Sequence, residues 1–330
     1  MPAIVKRILL CSFFQFPLIV GAATFEASIQ EGDRLVIRGL EAQIQLIGQP
    51  GKSLKISGVN ESDSAGSYIV EKKNNIIEIK MNEYDSKRDW MNILPQAGKN
   101  AKKIEISGLP IATEIQLKSG SVVAQKWSKD LKVNMTQGRF SSTDGSGSLK
   151  VYVQKGEVRI TNHKGRVSTD SYSGIQNLKN INGDVEASQF AGQFVAEKTE
   201  GFFSLTTQQG TAKVSQGVGT LRFDNGKGAF SVEQFKGRLE GETQEGAVNI
   251  KMTLDSEVDV KAKAGKVTVQ TPANSGVRLN LLTTEGEIYA PKGIYVNKLP
   301  TEKNVRQRMR GDAQRGSIFV RSQEGTILVK

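Results

Sequence analysis

Residues 147–165 read GSLKVYVQKGEVRITNHKG, and the nine-residue spacing of their glycines decides the fold. From Gly147 to Gly246 a glycine occupies every ninth position without a slip. Glycine accounts for only 34 of 330 residues, so twelve glycines in register are not a chance arrangement. The register therefore predicts an internal repeat with a unit of nine residues. The twelve glycines are Gly147, Gly156, Gly165, Gly174, Gly183, Gly192, Gly201, Gly210, Gly219, Gly228, Gly237 and Gly246.

Each repeat begins as a short alternating strand. Apolar residues follow most of these glycines at the second and fourth positions, as in Leu149 and Val151, and the residue between them is mostly polar, as in Lys150. Alternation with a period of two is typical of a strand that buries one face. The remaining residues of the repeat predict a turn, and glycine suits a turn because it adopts positive φ without steric cost.

One such strand cannot bury its apolar face alone, so a fixed short period indicates that the repeats stack on one another. The sequence predicts an all-β fold, a single-stranded right- or left-handed β-solenoid with coils of about 18 residues. Two nonapeptides would form each coil, and parallel strands of adjacent coils would lie about 4.8 Å apart. An antiparallel meander closed into a sandwich or barrel is the alternative, although meander loops usually vary in length.

A nine-residue period is also typical of calcium-binding nonapeptide rolls. Those repeats need Gly-Gly-x-Gly-x-Asp so that carboxylates and carbonyls surround the ion. Here Asp184 is the only aspartate directly after a glycine of the register, and no repeat has the double glycine. The sequence therefore predicts no calcium site, and no other metal or cofactor is expected.

The N-terminal residues 1–23 have the features of a secretory signal peptide. Lys6 and Arg7 precede the apolar run from Ile8 to Val20, and small residues follow, with cleavage expected after Ala23. This run is too short to span a bilayer, so an uncleaved anchor is the less favoured alternative. Cys11, the only cysteine, lies inside it. The expected mature protein has no thiol and is periplasmic, exposed on the cell surface or secreted.

The chain is basic, with a formal net charge of +11. Loss of Lys6 and Arg7 with the leader lowers this charge by two, to +9. A basic exported protein is attracted to anionic partners such as lipopolysaccharide, phosphate-bearing wall polymers, anionic lipid or released DNA, without specificity for a nucleic acid. The alternative is that the charge is only a solvated surface.

The register divides the chain into four parts. Residues 1–23 are the leader, and residues 24–118 contain irregular strands, interpreted as an N-terminal cap or wider coils. Residues 119–290 are interpreted as the regular solenoid, with Trp127 filling an early coil. Residues 291–330 are interpreted as a basic loop followed by strands that cap the last coil. Caps are expected because an end coil exposes unpaired backbone groups and apolar side chains.

Two segments carry candidate binding residues. The loop predicted over 291–315 contains Arg306, Arg308 and Arg310, which we predict as the ligand-binding residues if a site exists. Trp90, in a charged segment between 82 and 103, is the weaker candidate for contact with a sugar or a partner. The alternative for Trp90 is that its loop folds back over the core.

No catalytic arrangement is evident. His163, the only histidine, lies in a Thr-Asn-His-Lys turn and is predicted to be a solvated corner residue, without support for a catalytic triad. Glu240 and Glu242 are expected on an outward strand or turn, solvated rather than catalytic. A polysaccharide-acting β-helix enzyme is an alternative, but it would need inserted loops to build a cleft, and residues 147–254 contain none. The prediction is that the protein is not an enzyme.

The repeats resemble the bacterial putative adhesin family of exported β-solenoid proteins. The likeness lies in Gly-x-Val-x-Val repeats with Ser, Thr, Asn and Gln turns, and covers residues 30–330. It includes Leu117-Lys-Ser-Gly-Ser-Val-Val, Leu131-Lys-Val-Asn-Met and Gly147-Ser-Leu-Lys-Val. The resemblance implies a cell-envelope or surface protein whose adhesive role follows from its architecture, and it supplies no catalytic residue. The sequence departs from the resemblance in that no wall anchor or transmembrane segment is evident.

The expected function is a non-enzymatic adhesion or binding protein for an anionic envelope polymer, a glycan or a surface protein. The alternatives are a self-associating scaffold of the envelope and the polysaccharide-acting enzyme considered above.

Overall fold

The computed structural model describes residues 24–59, 68–81, 102–311 and 315–330, in which every regular element is a β-strand. The predicted leader and Trp90 lie outside these residues. The strands of the N-terminal part are β1 (Thr24–Ser28), β2 (Arg34–Gly48), β3 (Ser53–Ser57), β4 (Tyr68–Lys73), β5 (Ile76–Met81) and β6 (Lys102–Gly108). The central strands are β7 (Ala112–Gln125), β8 (Leu131–Thr143), β9 (Leu149–Lys164), β10 (Val167–Asn182), β11 (Val185–Thr207), β12 (Thr211–Ser215), β13 (Val218–Asn225), β14 (Ala229–Thr243), β15 (Val248–Ala262) and β16 (Val267–Gln270). The C-terminal strands are β17 (Arg278–Thr283), β18 (Ile288–Tyr289), β19 (Asn297–Lys298), β20 (Lys303–Arg308), β21 (Ser317–Ser322) and β22 (Ile327–Val329).

The central strands stack in parallel with a constant offset. Val167 of β10 pairs with Leu149 of β9 on one side and with Val185 of β11 on the other. Side chains that contact each other across this stack, such as Asn162 and Asp144, are 18 residues apart in the chain. Two nonapeptides therefore form one coil, which confirms the predicted β-solenoid.

Glycine is required in the register because the backbones of adjacent coils approach closely there. A Cβ added to Gly174 would lie 1.8 Å from the carbonyl oxygen of Gly156, and Gly174 has a φ of +138°. The same contact relates Gly156 to Gly138 in the preceding coil. The glycines thus form columns along the solenoid, and a side chain would push the coils apart.

The two nonapeptides of a coil turn differently. One corner carries a non-glycine residue with positive φ in seven successive coils: Lys126, Asp144, Asn162, Asn180, Lys198, Gln216 and Gln234. Asn and Asp tolerate this conformation better than most residues. Their side chains also join neighbouring coils, since Asn180 Nδ2 donates to Asn162 Oδ1 at 2.8 Å and Asn162 Nδ2 donates to Asp144 Oδ1 at 2.9 Å.

This corner explains why the prediction for His163 was wrong. His163 follows Asn162, whose left-handed conformation directs the next side chain into the coil, and only 3% of His163 is exposed. Ile181, one coil further along, is buried at the equivalent position. At the other corner of the coil, Tyr172 points outward.

At the N-terminal end the parallel stack extends into the segment interpreted as an N-terminal cap or wider coils. Strand β2 pairs in parallel with β7 on one side and with β5 and β6 on the other. Strand β2 is therefore a coil of the stack, although its residues belong to the segment interpreted as irregular. Antiparallel strands lie beyond it, with β3 pairing with β6 and β1, and β4 pairing with β5.

At the C-terminal end the last strands of the chain lie inside the stack. Val320 of β21 pairs with Val260 of β15 and with Leu281 of β17, and β22 lies in the same way between β16 and β18. The expectation that these strands cap the last coil was wrong. Gly325 fits between Gly265 and Gly286, so it continues the glycine column at this level.

Strand β20 covers the end of the stack instead. It pairs antiparallel with β17, and the short strand β19 pairs with its first two residues. The segment predicted as a loop over 291–315 therefore contains two strands, because Val305 supplies a buried residue that packs at the end of the core.

The apolar interior runs through the whole described stack as one cluster. Trp127 is 2% exposed, and its indole Nε1 donates a hydrogen bond of 3.2 Å to the carbonyl oxygen of Ile111. The prediction that Trp127 fills an early coil is confirmed.

Candidate anion-binding face

The antiparallel pair of β17 and β20 brings two arginines face to face. Its register places Arg278 opposite Arg308 and Asn280 opposite Arg306. Leu281 of β17 faces Val305 of β20, both are buried, and the alternation of the strands therefore sends the arginines outward. Of the three arginines predicted from the sequence, Arg306 and Arg308 lie in β20, and Arg310 follows the strand as an exposed residue.

Strand β21 extends this surface on the other side of β17. Phe319 pairs with Asn280, and Arg321 pairs with Leu282, so both side chains point outward with the arginines. Phe319 is half-buried and Arg321 is exposed. We name the surface formed by Arg278, Arg306, Arg308, Arg321 and Phe319 the basic face.

No ion pair among the described residues includes an arginine of the basic face. Elsewhere the solenoid pairs its outward arginines: Arg139 Nε lies 2.8 Å from Glu157, and Arg222 Nε lies 3.0 Å from Glu240. Arg308 instead contacts the backbone, since its Nη1 donates a hydrogen bond of 2.8 Å to the carbonyl oxygen of Gly276. Like charges directly opposite each other in a sheet are destabilising, so this cross-strand pair does not contribute to the stability of the fold.

Acidic residues lie at the margin of the basic face, and those that the structure describes form no ion pair with its arginines. Glu257 and Asp259 lie on β15, opposite Ser317 and Phe319 of β21, on the side away from β20. At the other margin Lys303 has its own partner, because it donates to Gly286 O at 2.9 Å and forms an ion pair with Glu287. The hydrogen bond from Lys303 lowers the pKa of the Glu287 carboxyl below its usual value.

The arrangement suits the recognition of phosphate or carboxylate groups. A guanidinium group keeps its charge at every physiological pH, and its planar set of donors can bind two oxygens of an anion at once. Among the described residues there is no group of three or more His, Cys, Asp or Glu side chains placed to hold a metal ion.

Sequence reasoning identified Arg306 and Arg308 but missed Arg278, Arg321 and Phe319. Arg278 lies in the part of the sequence interpreted as regular solenoid, and Phe319 and Arg321 lie in the part interpreted as capping strands. No local signal shows that these strands become neighbours, because β21 reaches its place by insertion between two earlier coils.

A model of a protein family described as Toastrack DUF4097 matches residues 33–330. The chain belongs to this family. Membership in the Toastrack DUF4097 family confirms the resemblance drawn from the glycine repeats, and the match includes both the solenoid and the basic face. No curated protein has a significant sequence match to the chain.

Two solved structures resemble this Toastrack DUF4097 chain. A putative cell adhesion protein from Clostridium sporogenes ATCC 15579 is 14% identical, with 94% of this chain and 99% of that chain covered and a TM-score of 0.21. A putative adhesin from Bacteroides fragilis NCTC 9343 is 13% identical, with 94% and 98% covered and a TM-score of 0.26. No helix long and apolar enough to cross a membrane occurs among the described residues of the Toastrack DUF4097 chain.

Proposed function

We propose that the protein is an exported, non-enzymatic binding protein of the cell envelope or surface, and that its basic face contacts an anionic envelope polymer or host surface. The observation that carries the proposal is the cross-strand pair of Arg278 and Arg308, which lacks an acidic partner among the described residues. Membership in the Toastrack DUF4097 family supports a surface role, and the two similar structures belong to a putative cell adhesion protein and a putative adhesin.

The geometry favours an extended polymer over a small anion. Arg306 and Arg308 are two residues apart on one strand, about 7 Å, and the neighbouring strand that carries Arg278 lies about 4.8 Å away. The surface is an open sheet, so several anionic groups of one polymer could contact several guanidinium groups together. Such multipoint binding is strong in sum and sensitive to salt.

The proposal also includes the absence of catalysis. The single histidine of the sequence, His163, is buried in the solenoid and away from the basic face, so it is not placed to exchange protons with a bound ligand. Arginine remains protonated under all relevant conditions and is a poor general acid or base.

The test is retention of purified residues 24–330 on whole cells, isolated wall and outer-membrane fractions at about 0.05 M and about 0.5 M salt. The variant Arg278→Gln/Arg306→Gln/Arg308→Gln should bind at least about tenfold more weakly, with a flatter salt dependence. The matched control is Arg139→Gln/Arg159→Gln/Arg238→Gln, which removes the same charge from ion-paired arginines. It should bind within about twofold of the parent protein.

Equal binding by both triple variants, or no retention on any fraction, would contradict the proposal. One outcome would favour the scaffold alternative instead. Strand β19 pairs only with Lys303 and Asn304, so within the described part of the chain no strand pairs with the outer edge of β20 at Arg306 and Arg308. Charges on an edge strand prevent pairing with other chains. If the arginine variant self-associates in sedimentation while its envelope binding is unchanged, the arginines protect this edge.

A further inference from the structure

Two aromatic side chains are stacked on the outside of the solenoid, far along the chain from the basic face. The rings of Tyr172 and Phe190 have centroids 4.8 Å apart and planes inclined by 4°. The exposed fractions are 50% for Tyr172 and 39% for Phe190. They occupy the same corner of adjacent coils, where the flanking coils carry Gln154 and Gln208.

The stacked pair borders an open cleft of about 300 Å³. A third aromatic residue, Tyr152, lines it from the adjacent face, next to Asp170. Polar residues also line the cleft, among them Ser188, Thr206 and Gln208. The volume is at the lower end of the range for small-molecule sites, which is about 300–1,000 Å³.

The corner that carries the stacked pair is held in place by a buried amide. Gln189 is buried, and its Nε2 donates hydrogen bonds of 3.0 Å to the carbonyl oxygens of Gly174 and Ala191. Gly174 lies two residues after Tyr172, and Ala191 directly follows Phe190. The amide therefore links the two corners, and a surface fixed in this way loses little conformational entropy when a ligand binds.

The polar groups of the cleft are available to a ligand. Asp170 forms no ion pair with any residue that the structure describes, and it is exposed between Tyr152 and Ser188 in the strand register. The solenoid treats another outward aromatic differently: the guanidinium of Arg222 lies 5.4 Å from the ring centre of Phe202. No such cation–ring contact is made by Tyr172 or Phe190 within the described part of the chain.

We infer that this cleft binds an uncharged hexose unit of a glycan chain. A pyranose ring combines an apolar C–H face with a rim of hydroxyl groups, and this combination complements aromatic rings beside polar side chains. The carboxylate of Asp170 accepts hydrogen bonds from hydroxyls, and the amide of Gln208 both donates and accepts them. The same carboxylate repels acidic sugars, so this site and the basic face select ligands of different charge.

The inference is independent of the proposed function because no residue of the cleft belongs to the basic face. The protein would hold a glycan-bearing surface at two separate places, one through charge and one through sugar rings. Two weak contacts on one rod raise the overall affinity when both sites can be occupied together.

The test is titration of the purified exported protein with tetrasaccharides built from glucose, galactose, mannose or N-acetylglucosamine, followed by calorimetry. At least one of these four probes should bind, and both Tyr172→Ala and Phe190→Ala should weaken that binding by about tenfold or more. Asp170→Asn should weaken it by about threefold or more, because the neutral amide is a poorer hydrogen-bond acceptor for sugar hydroxyls.

The matched control is Phe202→Ala, which removes an outward aromatic residue from outside the cleft. It should leave saccharide binding within about twofold of the parent protein. Thermal unfolding of every variant separates loss of binding from loss of fold. The arginine variant of the basic face should bind the tetrasaccharide normally, so failure of one proposal is distinguishable from failure of the other.

Three results would overturn the inference. They are no binding of any probe at millimolar concentration, saccharide affinity that Tyr172→Ala does not change, or a loss of affinity in Phe202→Ala as large as that in Tyr172→Ala. Sedimentation supplies a fourth result. A dimer that disappears in Tyr172→Ala would show that the stacked pair contacts a second copy of the chain instead.

Discussion

The imidazole Nε2 of His163 lies 3.0 Å from the carbonyl oxygen of Gly147 inside the solenoid. Nδ1 of the same ring is buried and has no hydrogen-bond partner among the described residues. Burial lowers the pKa of His163 below its ordinary value of 6.5, and the hydrogen bond to Gly147 offsets only part of this effect. The folded protein therefore keeps the ring neutral at a pH where the unfolded chain would protonate it.

A loss of stability on acidification follows from this difference. Well above pH 6.5 neither the folded nor the unfolded state binds the proton, and the stabilising contribution of His163 is complete. As the pH falls below 6.5, the unfolded state binds a proton that the folded state does not bind. The free energy of unfolding therefore declines by at most about 1.4 kcal/mol per pH unit. Urea unfolding of the parent and of His163→Gln between about pH 7.5 and about pH 5 measures this contribution. Parallel pH profiles of the two proteins would contradict the prediction.

The glycine columns predict a graded series of alanine substitutions. Gly174→Ala should cost about 3 kcal/mol or more, since the new Cβ would meet the Gly156 carbonyl at a positive φ. Gly293 also has a positive φ, of +88°, but no atom lies within 4 Å of its added Cβ. Gly293→Ala should therefore cost only about 1–2 kcal/mol.

Gly51 is the neutral control, because its φ is not in the left-handed region and its Cβ would also meet nothing within 4 Å. Gly51→Ala should change the free energy of unfolding by less than about 0.5 kcal/mol. Chemical unfolding of the three variants measures the order of their free energies of unfolding. Equal costs for Gly174→Ala and Gly293→Ala would mean that backbone conformation, and not the contact between coils, explains the register.

Hydrogen exchange should be slow in the last strands of the chain. Chain ends usually fray, yet the amides of β21 lie between β15 and β17, with Ile318 and Val320 fully buried. We expect peptides from 317–322 to exchange as slowly as those from the central strand β9. Peptides from β20, the antiparallel strand at the end of the stack, should exchange faster. Fast exchange over 317–322 would contradict the insertion of β21 into the stack.

Several features of this protein could be predicted from the sequence because they depend on a local period. The nine-residue step predicts the strands and the buried rows, and two nonapeptides per coil follow from stacking. The period also predicts the aromatic pair, because Tyr172 and Phe190 are 18 residues apart, which places them at one corner of adjacent coils. The position of His163 could not be read in this way, because the backbone turn at Asn162 makes the two halves of a coil unequal.

The sequence by itself determined the β-solenoid, its coil length and the requirement for glycine, since each follows from contacts that recur at a fixed separation along the chain. Only the tertiary structure decided which strands are neighbours at the two ends. The pairing of Val320 with Val260 and Leu281, and of Arg278 with Arg308, joins segments whose separation follows no period. Such contacts depend on which exposed edge of the growing stack a strand completes, and every edge of a repetitive solenoid presents a similar pattern of backbone donors and acceptors.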